Sequence, residues 1–528
     1  HLIGIGGAGM SAYAAAAAAL GASVTGSDMA DSTFAESLRA GGVVDVRIGH
    51  DPINVPAGSE VEVFWSSAIG PANVELVAAV ARGLVVRRRA DLLGELSRLR
   101  RTIGVAGAHG KTTTASMIAT ALRGCGLDPG YLIGGTLRET GRNGEWGTGD
   151  WLVVEADESD RSMLALDVEI GVLTSVELDH HAEFGSRLEL DGVYREFLAG
   201  ARDAVIWDRP ELVGLRRVGD GGQQSHQVGD RAQQSHQVGD RAQQSHSDHS
   251  DHQVGDRAQQ SHSDHQVGDG EQQSHQVGDG EQQSHSHHSD RRGRVVAYDV
   301  REPVVSGGRA EFDFHGRWVS LGVPGAHNAL NAAAALEVCR LVGVDLDQAI
   351  RALEGFTGAA RRFERLGVTA GGAVVYDDYA HHPTEVAATL AAARTLGAKR
   401  VVAVFQPHLY SRTEQLAREF GAALAGADVV VVVGVYPARE RAVDFPGVSG
   451  RLIAAATVDE VRDGEQQSHS HHPVAGRSVY WLPTFDEAER VLRDLLVDGD
   501  LCLVIGAGDI DRLGRRLVAG TDATDRPG

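Results

Sequence analysis

Gly4, Gly6 and Gly9 follow an apolar run at Leu2 in the spacing G-x-G-x-x-G, and Asp28 lies 19 residues past the last of them, at the end of the next strand-like run. Glycines so placed let backbone amides approach a pyrophosphate, and the amides opening the following helix meet its charge. Any diphosphate suits such a cradle, so a nicotinamide dinucleotide and a nucleotide sugar are both admitted. The bland alternative is a glycine turn without a ligand. A second loop, Gly107-Ala108-His109-Gly110-Lys111-Thr112-Thr113, also stands between a strand-like and a helix-like run. There the amides and the Lys111 ammonium can surround triphosphate oxygens while Thr112 offers a hydroxyl to Mg²⁺. Val105 occupies the first glycine position of the usual pattern, so the loop is a shortened one.

Carboxylates follow where a metal would need them. Glu155 ends a strand-like run in Val-Val-Glu-Ala-Asp-Glu-Ser-Asp, and Asp179-His180-His181 comes after the next such run, so Glu155 and His180 are candidate metal ligands at one sheet edge. Asn328 and Asn331, in Gly325-Ala326-His327-Asn328-Ala329-Leu330-Asn331, fall on one helical face and can meet an adenine edge; a helix cap over a packed His327 is the alternative. Arg361 and Arg362 are suited to neutralise a γ-phosphate or a developing acyl phosphate. Further on, Asp377-Asp378-Tyr379-Ala380-His381-His382-Pro383-Thr384-Glu385 and Phe405-Gln406-Pro407-His408-Leu409-Tyr410-Ser411-Arg412-Thr413 each follow a strand-like run. Arg412 suits an amino-acid carboxylate, with His381 and Tyr379 orienting its amine.

These residues need α/β scaffolding. Short apolar runs at Leu2 to Ile5, Ser23 to Thr25, Glu62 to Ser66 and Leu84 to Val86 alternate with helical stretches, which predicts a parallel sheet within residues 1–100. A second block, 101–354, opens with a strand at Ile103 to Ala106 and a helix from about Thr113 to Gly124, with further strands at Trp151 to Glu155 and Ile170 to Val176. The third, 355–528, predicts strands at Ala373 to Asp377, Arg400 to Phe405, Val429 to Val433 and Leu501 to Ile505. Three domains are expected, the outer two Rossmann-like and the central one an ATPase-type α/β domain of the P-loop kind.

The length of 528 residues agrees with several domains, and 42% apolar with 5% aromatic residues suits an Ala- and Val-rich globular chain. A formal charge of -22 argues against a nucleic-acid partner. Cys125, Cys339 and Cys502 read as buried reduced thiols of a cytoplasmic protein. The apolar run Tyr13 to Leu20 is too short to span a bilayer and has no basic flank, so neither membrane insertion nor a signal peptide is expected. His1 stands inside a strand-like run, which leads us to expect residues before it.

Between Val218 and Asp290 the chain cycles through near copies of Val-Gly-Asp-Arg-Ala-Gln-Gln-Ser-His-Gln. Too poor in apolar residues to offset chain entropy, this segment is expected to be a disordered insertion in the central domain. A fragment of the same text, residues 463–472, recurs in the third block and is expected in a surface loop.

Taken in order, these strings resemble the Mur ligase family over nearly the whole chain outside the repeats. Gly-Ile-Gly-Gly-Ala-Gly-Met-Ser, Asp-Asp-Tyr-Ala-His-His-Pro-Thr-Glu and Gln-Pro-His-x-Tyr-Ser-Arg-Thr look like its L-alanine-adding branch. The resemblance implies an N-terminal UDP-binding domain, a central ATPase and a C-terminal amino-acid domain. It implies ATP and Mg²⁺ as cofactors, and UDP-N-acetylmuramate and L-alanine as partners of a monomer or homodimer. It assigns Gly6, Gly7, Ala8, Gly9, Met10, Ser11, Asp28, Ser66 and Ser67 to the UDP-sugar. It gives Lys111, Thr112, Glu155 and His180 to ATP and its metals, with Asn328, Asn331, Arg362 and Asp378 completing the nucleotide site. Ala108 and Ser175 depart from the family's usual Thr and Asn and remove polar groups near the phosphates. A dehydrogenase explains only the first glycine loop, a recycling ligase of the same family fits the Pro-Thr-Glu string less well, and a metal-buffering protein rests on the repeats alone.

Overall fold

The computed structural model describes residues 1–42, 44–178, 183–217, 293–467 and 477–519. Its strands form four sheets among those residues. The first sheet runs in the spatial order Val44–Ile48, Val24–Asp28, Leu2–Ile3, Glu62–Trp65, Val85–Arg88, with every pair parallel. Strand order reverses beside Leu2–Ile3, so the glycine loop that follows opens at a topological switch point, where backbone amides are exposed at the carboxyl edge.

The second sheet has Arg101–Ala106 at its centre, flanked by Ile170–Leu173 on one side and Trp151–Glu155 on the other, all parallel. Outside them lie Asp203–Trp207 and Val295–Tyr298 on the first side, and the antiparallel pair Gly130–Leu137 and Arg142–Glu145 on the second. Buried on both faces, the central strands are nearly continuous Val, Ile and Ala runs. The loops after Ala106, Glu155 and Leu173 are therefore neighbours.

A small antiparallel sheet, Val304–Ser306, Arg309–Phe314 and Arg317–Leu321, precedes the Ala-rich helix Ala326–Val342. That helix packs on Lys111–Gly124 within one core that includes Met117, Ile118, Ala332 and Leu336. Its small side chains let the two helix axes approach closely. The last sheet runs Glu364–Val368, Val374–Asp378, Asp500–Ile505, Arg400–Phe405, Val429–Val432, Ser478–Trp481, with only the first strand antiparallel.

The central strands match the sequence expectation to within a few residues. The hairpin strands Gly130–Leu137 and Arg142–Glu145, the strands at Val44–Ile48, Asp203–Trp207, Val295–Tyr298, Glu364–Val368 and Ser478–Trp481, and the small antiparallel sheet carried no expectation. The repeat at 218–290 lies outside the described residues. Of the second copy, Asp463 to Gln467 continue the helix Gly450–Gln467, which corrects the loop expectation there, and residues 468–472 lie outside the described residues. Glu and Gln propagate an established helix at little cost, so the polar text ends a helix here rather than a strand. Cys339 and Cys502 are buried free thiols as expected, while Cys125 is only half-buried. No helix among the described residues is long and apolar enough to cross a membrane.

Candidate active site

The phosphate loop is shaped by one close approach. Gly110 takes φ 82°, and a Cβ there would stand 2.5 Å from Asn331 Oδ1. Only glycine permits both, and Lys111–Gly124 then begins with its unpaired amides turned to the loop. Thr114 Oγ1 lies 3.2 Å from Asn331 Oδ1, Asn331 Nδ2 donates to Asn328 Oδ1 at 3.3 Å, and Asn328 Nδ2 donates to Pro324 O at 2.7 Å. The two asparagines thus brace the loop from below. They also line a cavity of about 220 Å³ together with His109, Thr113, Val323, Phe356, Arg362 and Asp378.

Lys111 Nζ donates to Gly107 O at 2.6 Å and to both oxygens of Glu158 at 3.0 and 3.1 Å. Burial works against its charge, but Glu158, Asp157 and Glu155 outweigh burial and hold the ammonium above its ordinary pKa. Burial also drives the Glu158 carboxyl up to about 7 against the pull of Lys111. Thr112 Oγ1 donates to Glu155 at 3.0 and 3.1 Å, and Gly134 N donates to Glu155 Oε2 at 2.6 Å. A hydroxyl and a carboxylate, both oxygen donors, suit a hard divalent cation. His180 lies outside the described residues.

Ser175 keeps the loop tied despite replacing the amide expected there. Its Oγ accepts from His109 N at 3.0 Å and its carbonyl from Ala108 N at 3.1 Å. His109 itself spans two carboxylates, with Nε2 3.1 Å from Glu177 and Nδ1 3.2 Å from Glu385. The second contact is an ion pair rather than an aligned hydrogen bond. Burial would lower this imidazole, but Glu177 and Glu385 raise it to about 9.

Arg362 Nη2 reaches Thr112 Oγ1 at 3.4 Å. It is aimed by a tight turn in which Arg361 (φ 58°) and Phe363 (φ 51°) both take left-handed backbone. Asp378 holds that turn, accepting from Phe363 N and Ala380 N at 2.8 Å each. The expectation that Arg361 shares the phosphate role is corrected. Its guanidinium bonds Asp377 at 3.0 Å and the carbonyls of Gly506 and Gly508 at 2.8 and 2.9 Å, which clamps the turn to the last sheet.

At the neighbouring edge of that sheet, Tyr379, His381, His408 and Tyr436 form a chain of rings, with centroids 5.5, 6.0 and 5.8 Å apart in turn. Arg412 is 4% exposed and Nη1 lies 3.2 Å from His408 Nδ1. The three residues read as an amino-acid subsite therefore come together, joined by His408 and Tyr436, which had no assigned role.

The first glycine loop faces a cavity of about 260 Å³ lined by Gly7, Ala8, Gly9, Met10, Ser66, Arg89, Gly134, Glu155 and Asp157. Glu155 therefore stands between this cavity and the phosphate loop. Asp28 points inward, with Oδ2 accepting from Gly6 N at 2.8 Å, so it braces the loop. Ser11 Oγ accepts from Asn143 Nδ2 at 2.9 Å, and Ser67 lines a separate groove with Arg88 and Arg161.

Two family models match the chain, the Mur ligase family catalytic domain over residues 1–101 and the Mur ligase glutamate ligase domain over 361–508. The UDP-N-acetylmuramate–L-alanine ligase of Nocardia farcinica is 38% identical, over 100% of this chain and 96% of its own length. The chain belongs to the Mur ligase family. The Mur ligase of Thermobifida fusca with the same name is also 38% identical, over 98% of this chain and 95% of its own. In fold, this Mur ligase resembles the crystal structure of UDP-N-acetylmuramate–alanine ligase from Thermotoga maritima, with a TM-score of 0.70 at 23% identity over 98% and 97% of the two chains. Glu158 and Glu385 sit inside strings named above and Glu177 lies two residues before Asp179, yet which carboxylate meets which cation depends on how three loops converge. Arg89, whose Nη2 bonds Asp157 at 3.1 Å beside the first glycine loop, gave no signal in sequence.

Proposed function

We propose that this protein joins L-alanine to the lactyl carboxylate of UDP-N-acetylmuramate, with cleavage of ATP to ADP and phosphate, in cytoplasmic peptidoglycan synthesis. The observation that carries this reading is the Thr112–Glu155 pair, set between a glycine-loop cavity and a phosphate-loop cavity. Full-length relatives named for that reaction support the choice of substrates.

The division of labour follows the sheets, with proposed boundaries near residues 100 and 355. Gly6 to Ser11 and Ser66 receive the diphosphate of the sugar nucleotide. Val323, Leu330 and Phe356 wall a cleft that suits an adenine. Thr112 and Glu155, with His180, would hold Mg²⁺, which supplies positive charge to the phosphate oxygens when bound.

In the first step a carboxylate oxygen of the muramoyl group forms a bond to the γ-phosphorus as the bond to the β-bridging oxygen breaks, giving an acyl phosphate and ADP. Lys111 and Arg362 stabilise the charge that spreads over the transferred group, once Lys111 exchanges Glu158 for phosphate oxygens. In the second step the alanine amine attacks the acyl carbon, loses a proton and expels phosphate through a tetrahedral intermediate. Arg412 holds the alanine carboxylate, while His381 and Tyr379 orient the amine.

The test is phosphate release by the purified full chain. It should require ATP, Mg²⁺, UDP-N-acetylmuramate and L-alanine together. Turnover with any one organic substrate omitted, or oxidation of a nicotinamide without ATP, would overturn the reading.

A further inference from the structure

Glu385 touches both halves of the site at once. It lies in the first turn of Pro383–Arg394, its side chain 11% exposed, and one carboxylate oxygen stands 3.2 Å from His109 Nδ1 on the phosphate loop. The other accepts from His381 N at 2.9 Å and lies 3.3 Å from His381 Nδ1. His381 Nδ1 is also 3.0 Å from Tyr379 O. A carbonyl only accepts, so Nδ1 carries the hydrogen, and Tyr379 O with Glu385 sets both the ring's tautomer and its direction.

Burial would push the Glu385 carboxyl up, but His381, His109 and Arg362 outweigh burial and hold it well below the usual carboxylate range. It is an anion shared by two histidines. His109 is fastened on its other side by Ser175 and Thr174, whose hydroxyl donates to His109 O at 2.5 Å. Its Nε2 meets Glu177, which Thr384 Oγ1, the residue before Glu385, also approaches at 2.8 Å. A shift of the phosphate loop therefore reaches the helix Pro383–Arg394 through two carboxylates, and one of these continues to His381.

We propose that Glu385 is a positioning residue that couples the phosphate loop to His381, so that the amine-orienting histidine is set only when the loop is in its working place. This rests on the amide-ligase reading above and deepens it. Such coupling matters for a two-step reaction, because an acyl phosphate formed before the amine is aligned is lost to water.

The test uses the full chain with Glu385→Gln and Glu385→Asp, measuring phosphate and amide product in parallel. Glu385→Gln should raise the KM for alanine by about tenfold or more, a clearly larger factor than for ATP, whose cavity Glu385 also lines, and leave the KM for the sugar nucleotide within about threefold. Phosphate should exceed amide in this variant, against one-to-one release in the parent. Hydroxylamine, which traps acyl phosphates as hydroxamates, should capture the acyl phosphate that this variant fails to pass to alanine, so that hydroxamate forms in place of the missing amide. Glu385→Asp keeps the charge and should recover part of the alanine KM. Equal losses for all three substrates, or unchanged alanine KM with one-to-one products, would overturn the coupling. Should Glu385→Gln not fold, Glu385→Asp carries the test, because a shortened carboxylate that left alanine KM and stoichiometry untouched would overturn it too. Failure of the parent to require alanine for phosphate release would instead overturn the ligase reading.

Discussion

Lys111 shows how one side chain serves stability and chemistry by different partners. Facing Glu158 it neutralises a carboxylate that is 2% exposed; facing phosphate it would stabilise a transition state. Removing it exposes both debts, and a second substitution separates them. Lys111→Ala should lower turnover by about 10² to 10³, the range for one lost charge-stabilising donor. It should also lower Tm, since Glu158 is left buried without its cation. Adding Glu158→Gln should restore Tm and leave turnover low, as melting curves and phosphate release on the two variants will report; recovered turnover would remove Lys111 from the chemistry. Arg361 and Arg362 give the complementary lesson. Adjacent and chemically identical, they point oppositely, one to Gly506 and Asp377, the other to Thr112, because the left-handed backbone at Arg361 and Phe363 turns the chain between them.

Among the elements, the hairpin Gly130–Leu137 and Arg142–Glu145 positions the first glycine loop from outside its own sheet. Asn143 Nδ2 donates to Ala8 O at 2.6 Å and to Ser11 Oγ, which grips the first turn of the helix Ala8–Ala19. The contact is so close that a Cβ on Gly144 would lie 2.6 Å from Ala12 Cα. The apolar side of that helix shares one core with Leu132, Leu152 and Val154 of the second sheet and with Trp146 just after it. Gly144→Val should wedge the helix away and raise the KM for the sugar nucleotide by about tenfold or more, because misplacement of about an ångström is enough. The KM for ATP should hardly move, since Lys111–Gly124 packs on the other face of the hairpin sheet's core. Steady-state kinetics against each substrate will decide, and equal rises would show that the hairpin supports the whole fold instead.

For the whole molecule, the described residues on either side of the long repeat meet at one strand. The helix Pro210–Arg217 before it packs on Asp203–Trp207, and Val295–Tyr298 after it pairs parallel with the same strand. Joining 217 to 293 by a short flexible linker should therefore leave that register intact, since closing a shorter loop is entropically cheap. Dependence on ATP, sugar nucleotide and alanine should survive the deletion in a phosphate-release assay; its loss would give the repeat a part in the reaction. What could be read along the chain was whatever depends on neighbours in sequence: the two glycine loops between strand and helix, Lys111 and Thr112 at a helix start, and the Val-rich strands with polar turns after them. Backbone conformation and burial pattern are local properties, so composition and spacing encode them. The pairing of Lys111 with Glu158, of His109 with Glu177 and Glu385, and of Asn143 with Ser11 joins residues 47, 68, 276 and 132 positions apart. Charge and hydrogen-bond energies act through space over a few ångströms, so only the packing of the sheets against one another could decide which of many carboxylates each cation meets.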